Sequence, residues 1–261
     1  MQNLITNYIL HLADNSLILG QQNSAWTGHG PILEQDIALS NISLDLIGQA
    51  RYLYQHAANL LNEADEKKVH TEDSLAYFRT DREYKNLLIV EQDNGDWGKT
   101  VLRQFLYSSF QNCQYRKLLD SSDAQLKAIA EKSLKEIAYH LRWSSEWVIR
   151  LGDGTEESHA RMNLALADLW RFTGEFFIPS SYEDNLSLFF PCYDPQSLKE
   201  EWEDYVIKVL DEATLYTAAN KKMMEETFML KGGKEGKHTE KLGYILAEMQ
   251  YLQRTYPETE W

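Results

Sequence analysis

Two residue pairs lie where a helical bundle could hold a metal, and both lack the charge that a metal requires. Leu46 and Gln49 have i,i+3 spacing, which places both side chains on one face of a helix. Ile137 and His140 repeat this spacing in a later segment. A Glu-x-x-His pair at such positions binds iron in di-iron carboxylate bundles. Leu-x-x-Gln offers neither a carboxylate nor an imidazole, and the second pair retains only His140.

Carboxylates are also scarce on the two other segments that would complete a four-helix metal site. Asp14 is the only acid in segment 4–19, and segment 101–119 contains none. Glu136 lies one residue off the apolar stripe, so we expect it to point about 100° away from the metal positions. His140 is therefore the only plausible inward ligand, and a hydrogen-bonded core histidine is the commoner role for such a residue.

The elements that position these residues follow from helical periodicity. Apolar residues recur at steps of three and four within 31–62 and within 126–151, which predicts two long helices. Further helical segments are predicted at 4–19, 74–91, 100–119, 160–177, 197–216 and 238–256. Strand-like alternation is limited to 185–190, which is too short to build a sheet. We predict one all-α domain over residues 1–261, with four long core helices and additional C-terminal helices.

Composition narrows the classes of function. The chain carries 40 acidic and 26 basic residues, a formal charge of −14, which argues against a nucleic-acid partner. Cys113 and Cys192 lie far apart and have no metal-ligand spacing, so we expect idle thiols in a reducing compartment. No secretory signal and no apolar run of about 20 residues is visible. We therefore expect a cytoplasmic protein that does not enter a membrane.

Five segments carry a family resemblance that follows nearly the whole chain in order. They read LDLIGQARYLY (44–54), TDREYKNLLIVEQDNG (80–95), KEIAYHLRWS (135–144), LWRFTGEFF (169–177), and GGKEGKHTEKLG with AEMQYLQRTYP (232–257). The chain resembles the family of non-catalytic subunits of bacterial ring-1,2-phenylacetyl-CoA epoxidases. Members of that family are ferritin-like paralogues of the catalytic di-iron subunit, so the resemblance implies a ferritin-like bundle.

The resemblance also implies which residues of this chain correspond to the metal ligands of the catalytic paralogue. The catalytic paralogue carries Glu and His where this chain has Leu46 and Gln49, and it carries Glu and His again at the later pair. Five of the six corresponding positions cannot serve here as the paralogue's iron ligands, which implies no metal site and no catalytic residue. The six degenerate positions are Ser16, Leu46, Gln49, Ser108, Ile137 and His140.

The partners and cofactors are likewise implied by the resemblance. It implies a structural, non-catalytic subunit that pairs with the catalytic di-iron subunit in a hetero-oligomer, together with the other subunits of the epoxidase. The catalytic subunit binds phenylacetyl-CoA and epoxidises its ring with O2 at a di-iron centre. A reductase with flavin and an iron–sulfur cluster supplies electrons from NADPH. This chain would need no cofactor of its own.

A glycine-rich loop before the last predicted helix is the other candidate site. Its three lysines stand out in an acidic chain, and backbone N–H groups in such a loop can hold an anion. The loop matches no phosphate-binding fingerprint, so a surface connection, a docking site for the catalytic subunit, or contact with a CoA phosphate all remain open. Its candidate residues are Lys231, Gly232, Gly233, Lys234, Lys237 and His238.

Two other functions fit the same pattern. One is a ferritin-like di-iron oxygenase with an altered ligand set, which would need residues such as Asp45 and His140. The other is a stand-alone helical adaptor unrelated to oxygenation. Glu34, Asp36 and Asp45 are more simply interpreted as solvated or paired acids, because a metal site needs convergent ligands.

Overall fold

Ten α-helices run through the part of the chain that the computed structural model describes, which is residues 2–65, 67–184, 186, 194–257 and 259. No strand occurs among these residues. The helices are α1 (Gln2–Ala25), α2 (Leu33–Ala64), α3 (Glu72–Tyr77), α4 (Trp97–Leu118), α5 (Ala124–Gly152), α6 (Glu156–Leu169), α7 (Lys199–Glu212), α8 (Ala218–Glu226), α9 (Glu240–Met249) and α10 (Tyr251–Thr255).

The four longest helices form the bundle that the periodicity predicts. α1 packs along α2, α4 packs along α5, and α2 also contacts α5. α2 and α5 are antiparallel, because Gln35 near one end of α2 accepts a hydrogen bond from Trp143 while Tyr52, further along, meets Lys132. α6 and α7 pack against α4 and α5. The prediction of an all-α, ferritin-like four-helix bundle with additional C-terminal helices is confirmed.

The turn between α1 and α2 is held by an acid that the sequence left as solvated or paired. The Asp36 carboxylate accepts hydrogen bonds from the amides of Gly28 (3.1 Å) and Gly30 (2.8 Å). Gly28 has a φ of +90°, a backbone conformation that favours glycine. The side chain thus satisfies loop donors and fixes the reversal that brings α1 onto α2.

Aspartates begin the other two long helices. Asp96 accepts from the amide of Lys99 (2.8 Å) at the start of α4, and Asp123 accepts from Leu126 (2.8 Å) at the start of α5. Such caps satisfy amides that have no partner within the helix. Asp123 also binds His56 of α2 at 2.8 Å, so one carboxylate joins a helix start to a neighbouring helix.

The prediction of a helix over 74–91 is wrong beyond Tyr77. A single 3-10 turn follows at Asp81–Glu83, and the chain then crosses the bundle without regular helix. Three of its amides donate to buried side chains that are distant in sequence, so the hydrogen-bond ladder of a helix is interrupted there. The donor–acceptor pairs are Lys85 with Asp14 (2.8 Å), Leu87 with Asn15 (2.7 Å) and Leu88 with Glu175 (2.9 Å).

The remaining helices differ from expectation mainly at their ends. The predicted helix 160–177 ends at Leu169 and gives way to two 3-10 turns, and 238–256 is divided into α9 and α10. α8 was not predicted; Thr217 caps it by accepting from the Asn220 amide at 3.2 Å. Segment 185–190 lies outside the described residues, apart from Leu186, and so does Cys192. No helix in the described part of the chain is long and apolar enough to cross a membrane.

Candidate functional site

The six degenerate metal positions lie in the interior of the four-helix bundle. α1 contributes one of them, α2 two, α4 one and α5 two, and none has more than 2% of its surface exposed. The helical stripes therefore predicted burial correctly for both i,i+3 pairs. These residues are Ser16, Leu46, Gln49, Ser108, Ile137 and His140.

Gln49 is the centre of the polar contacts at these positions. Its amide oxygen accepts a hydrogen bond from Gln111 of α4 at 3.0 Å, and its amide nitrogen donates to Glu136 of α5 at 2.9 Å. One uncharged side chain thereby joins three helices. An amide supplies both a donor and an acceptor, which is the hydrogen-bonding capacity that this junction uses.

Glu136 does not point where its place in the sequence predicts. We expected it to point away from the metal positions, but its carboxylate reaches Gln49 while its side chain stays half-buried. Its position beside the apolar stripe sets the direction of Cβ, and the rest of the glutamate is long enough to turn back toward the core. The pairing with Gln49 across two helices has no signal in the local sequence pattern.

His140 binds an acid from α2 that precedes one of the degenerate positions. Its Nε2 lies 3.0 Å from the Asp45 carboxylate, and the imidazole is fully buried. A carboxylate accepts hydrogen bonds, so Nε2 donates in this contact. Nδ1 is buried and has no hydrogen-bond partner among the described residues. The histidine therefore serves as a helix-to-helix contact between α5 and α2.

The two serine positions lie among uncharged polar groups. Ser16 donates to the carbonyl of Leu12 (3.2 Å), and Ser108 accepts from the Gln104 amide (2.8 Å). Burial raises the pKa of Tyr107 and Tyr115, the latter to about 12, and hydrogen bonding that includes Ser16 opposes part of both shifts. Both phenols are therefore neutral at physiological pH. These two serines and two tyrosines therefore provide no negative charge for a cation.

The acid of α1 is engaged outside this site. Asp14 is fully buried and binds the Arg79 guanidinium, the Tyr54 hydroxyl at 2.5 Å and the Lys85 amide at 2.8 Å. Across the described part of the chain, no three histidine, cysteine, aspartate or glutamate residues are grouped so that they could hold a metal ion. The donor set at the six positions, with one imidazole and no carboxylate, does not fit a di-iron centre.

The glycine-rich loop is fixed to three buried carboxylates. Lys234, only 3% exposed, binds Glu183 at 3.0 Å, and the Gly232 amide donates to Glu175 at 2.7 Å. His238 donates through Nδ1 to Glu91 at 2.8 Å. These contacts use much of the hydrogen-bonding capacity that the sequence assigned to an external anion.

Burial and charge act differently on two of these carboxylates. Burial raises the pKa of Glu175, whereas its hydrogen bonds with backbone amides oppose that shift only in part. Burial also opposes ionisation of Glu183, but Lys234 and other favourable contacts outweigh it, and the pKa of Glu183 falls below its usual value. Lys234 is therefore held as the counterion of Glu183.

Lys231 and Lys237 are the predicted loop residues that keep exposed cationic side chains. They line a depression of about 250 Å³ together with Glu175 and Glu235. Glu235 is itself exposed and accepts from the Ser181 amide at 2.7 Å. Two carboxylates beside two lysines reduce the positive potential that a phosphate would need. Anion binding at this loop remains a prediction. Lys231 and Lys237 are the loop lysines whose side chains are exposed enough to contact an anion.

Fold and site together define a class of protein: a ferritin-like four-helix bundle whose metal positions hold a hydrogen-bonded, largely uncharged set of side chains. A family model described as phenylacetic acid catabolic protein matches residues 1–261. A relative from Escherichia coli (strain K12), named as a subunit of 1,2-phenylacetyl-CoA epoxidase, is 44% identical over 259 residues, covering 99% of this chain and 100% of the relative. The chain belongs to the family of phenylacetic acid catabolic proteins.

Proposed function

We propose that this chain is the structural, non-catalytic subunit of a phenylacetyl-CoA epoxidase and acts in phenylacetate degradation. Support comes from the relative named as a subunit of that epoxidase, which aligns along its entire length. The family model matches the same full span. The resemblance in segments such as 44–54 and 135–144 covers the parts of α2 and α5 that carry four of the six degenerate metal positions.

The observation that carries the non-catalytic role is the junction at Gln49. A ligand position of a di-iron bundle is occupied here by an amide that bonds Gln111 and Glu136 at 3.0 and 2.9 Å. Removing the metal from such a bundle would leave buried carboxylates unpaired, which costs several kcal/mol. Here the uncharged amide of Gln49 joins the helices, and the half-buried Glu136 carboxylate that it contacts keeps a hydrogen-bond donor.

The chemistry belongs to the partners. We propose that a catalytic di-iron subunit of the same fold binds phenylacetyl-CoA and O2, and that a reductase with flavin and an iron–sulfur cluster brings electrons from NADPH. This chain contributes a rigid bundle that packs against the catalytic subunit in a hetero-oligomer. The altered-ligand oxygenase has less support, because Asp45 and His140 already bind each other.

Elemental analysis tests the absence of iron chemistry. The chain is purified alone from iron-supplemented cells, and a catalytic subunit purified in the same way serves as the control. We expect negligible iron in this chain and about two irons in the control, as in di-iron bundles. About two irons in this chain would contradict the non-catalytic assignment.

Co-purification tests the structural role. The chain and the catalytic subunit from the same organism are co-expressed and separated by size exclusion. We expect one stable complex, and we expect the catalytic subunit expressed alone to be less stable to heat than in the complex. Separate elution of the two chains at micromolar concentration would contradict the proposal.

A further inference from the structure

The imidazole of His238 lies between two groups that can only accept hydrogen bonds. Its Nδ1 is 2.8 Å from the carboxylate of Glu91, and its Nε2 is 3.0 Å from the backbone carbonyl oxygen of Tyr84. A neutral imidazole donates through one nitrogen and accepts through the other, whereas the protonated ring donates through both. Both contacts are therefore satisfied only when His238 carries a positive charge.

The carboxylate of Glu91 is fully surrounded by donors. It accepts four hydrogen bonds, two at each oxygen. Oε1 accepts from the amide and the hydroxyl of Thr239 at 2.7 and 2.8 Å, and Oε2 accepts from Asn86 at 2.9 Å and from His238. Four donors match the hydrogen-bonding capacity of an ionised carboxylate. His238 and Glu91 thus form an ion pair.

This ion pair is shielded from water. The His238 side chain is 3% exposed, and the Glu91 side chain is not exposed at all. Loss of the proton would turn one ring nitrogen into an acceptor that faces a second acceptor, and a buried group without a partner is costly. Movement of the histidine into solvent removes that cost, because water can donate to the bare nitrogen. Loss of the proton therefore favours an open form of the glycine-rich loop.

The glycine-rich loop lies directly on the backbone of the irregular segment before α4. A Cβ at Gly233 would lie 2.2 Å from the carbonyl oxygen of Asn86, and a Cβ at Gly236 would lie 2.2 Å from that of Arg82. Neither contact leaves room for a side chain. Closure of the loop therefore covers the backbone of this segment.

The two halves of the loop have separate attachments. Lys234 holds the first half through Glu183, and His238 holds the second half through Glu91. Gly236 lies between them with a φ of +72°, a conformation that glycine adopts at little cost. Such a position can absorb the backbone rotation of a hinge. The His238 end can therefore leave the irregular segment while Lys234 stays bound.

His238 is the group in this cluster whose charge changes near neutral pH. Burial opposes its protonation, whereas Glu91 and, to a smaller extent, Asp14 favour it, so the pKa of His238 lies above 6.5. His11, which contacts the same segment, has its pKa lowered to about 4 by burial. Acids and lysines ordinarily titrate far from neutral pH. Such groups in the loop, in 84–90 and at the start of α9 are Lys231, Lys234, Glu235, Lys237, Lys85, Glu240 and Lys241.

We propose that the glycine-rich loop is a pH-sensitive latch, which is closed over segment 84–91 while His238 holds its proton and opens at its His238 end when that proton is lost. The closed form binds the proton more tightly than the open form, in which the histidine titrates near its ordinary 6.5. The opening constant should then rise with pH, by up to about tenfold per pH unit, from 6.5 to the higher closed-form value. The latch is firmest in mildly acidic solution.

Hydrogen exchange of the full-length chain, followed by mass spectrometry, measures this opening. Rates are collected from about pH 6 to about pH 8 and are divided by the intrinsic exchange rate at each pH. We expect the protection of peptides from 84–91 and 236–239 to fall by about threefold or more over this range. Peptides from α4 should keep constant protection.

His238→Gln tests the proton-binding group, and His29→Gln is the matched control. Glutamine does not titrate, so the first variant should show low protection of 84–91 at every pH. His29 is exposed in the turn between α1 and α2, and its replacement should leave the wild-type pH dependence intact. Nitrogen-15 NMR of wild type needs no variant: at about pH 6, both ring nitrogens of His238 should carry protons.

Four results would overturn the latch. The first is constant protection of 84–91 in wild type from about pH 6 to about pH 8. The second is an equal fall in α4, which would mean that the whole bundle opens. The third is a wild-type pH dependence in His238→Gln, which would assign the proton to another group. The fourth is a ring nitrogen of His238 that lacks its proton at about pH 6.

Discussion

The Nε2 atom of His140 lies 3.0 Å from the carboxylate of Asp45, so the one histidine at the degenerate metal positions has an acid as its partner. Asp45 belongs to α2 and is one-third exposed, whereas His140 belongs to α5 and is fully buried. The contact joins α2 to α5 next to one of the degenerate positions, Leu46. It gives the histidine a structural role that requires no metal.

Asp45→Ala should lower the free energy of unfolding by about 1–2 kcal/mol, because it leaves the Nε2–H of His140 without its acceptor. Asp45→Asn is the matched control, since its amide oxygen can still accept the hydrogen bond. Urea denaturation of the three proteins measures the difference. Equal losses in the two variants would show that the carboxylate charge matters more than the hydrogen bond.

Leu46→Glu should destabilise the chain by about 3 kcal/mol or more, because it buries a carboxylate without a metal or a counterion. Leu46 is fully buried, and Leu44, two residues earlier, is 67% exposed. Leu44→Glu therefore places the same charge on the same helix in solvent and should change the stability of the isolated chain little. Thermal melting checks both, and an unchanged melting temperature for Leu46→Glu would mean that water or a cation reaches this position.

Gly233→Ala should unfold or strain the C-terminal loop, with a cost of about 2–3 kcal/mol or more. A Cβ at Gly233 would lie 2.2 Å from the carbonyl oxygen of Asn86, which belongs to the irregular segment that the loop covers. At Gly243, inside α9, a Cβ would meet nothing within 4 Å, and alanine should stabilise by about 0.5–1 kcal/mol. Relative to wild type, we expect the denaturant midpoint to fall for Gly233→Ala and to rise for Gly243→Ala. Equal midpoints for the two variants would contradict the close contact at Gly233.

His238 should make stability depend on pH. Burial opposes its protonation, but its hydrogen bond with Glu91 and the charge of that carboxylate outweigh burial, so the pKa of His238 lies above the ordinary 6.5. A raised folded-state pKa contributes stability that is fully present below 6.5 and is lost as pH rises through the folded-state value. The difference in unfolding free energy between wild type and His238→Gln should therefore shrink from about pH 6 to about pH 8.

His11 provides a control of opposite sign. Burial lowers the pKa of His11 to about 4, so its contribution is present above 6.5 and is lost as pH falls toward 4. The difference between wild type and His11→Asn should then shrink on acidification and stay constant at alkaline pH. Parallel pH profiles for the two variants would contradict at least one of the two pKa assignments.

Much of the bundle could be predicted because its long helices are amphipathic and their apolar stripes run without interruption. The pairs at Leu46 and His140 were placed in the core by the same stripes, and both are fully buried. The segment after Tyr77 could not be predicted, because its amides bind side chains such as Asp14 and Glu175 that are distant in sequence. Local periodicity contains no information about such acceptors.

The contacts of the glycine-rich loop could not be predicted for the same reason. Lys234 looked free to bind an anion, but its counterion Glu183 lies 51 residues earlier and is likewise buried. Glu136 illustrates a further limit: its position one residue off the stripe predicted a side chain that points away from the metal positions, whereas its carboxylate contacts Gln49. Sequence spacing predicts the helix face from which a side chain extends. The polar group of a long side chain can still turn toward a partner on another face.

The attachment of the C-terminal loop to Glu91 has a consequence for the order of folding during synthesis. His238 follows Glu91 by 147 positions, so a ribosome adding about 5–20 residues per second supplies it roughly 7–30 s later. The long helices α1, α2, α4 and α5 precede the loop in the chain, and until it arrives Glu91 lacks two of its donors, His238 and Thr239. Nascent chains stalled before residue 231 should therefore be more sensitive to protease within 84–92 than chains released at full length, and equal sensitivity would show that the bundle closes without its last segment.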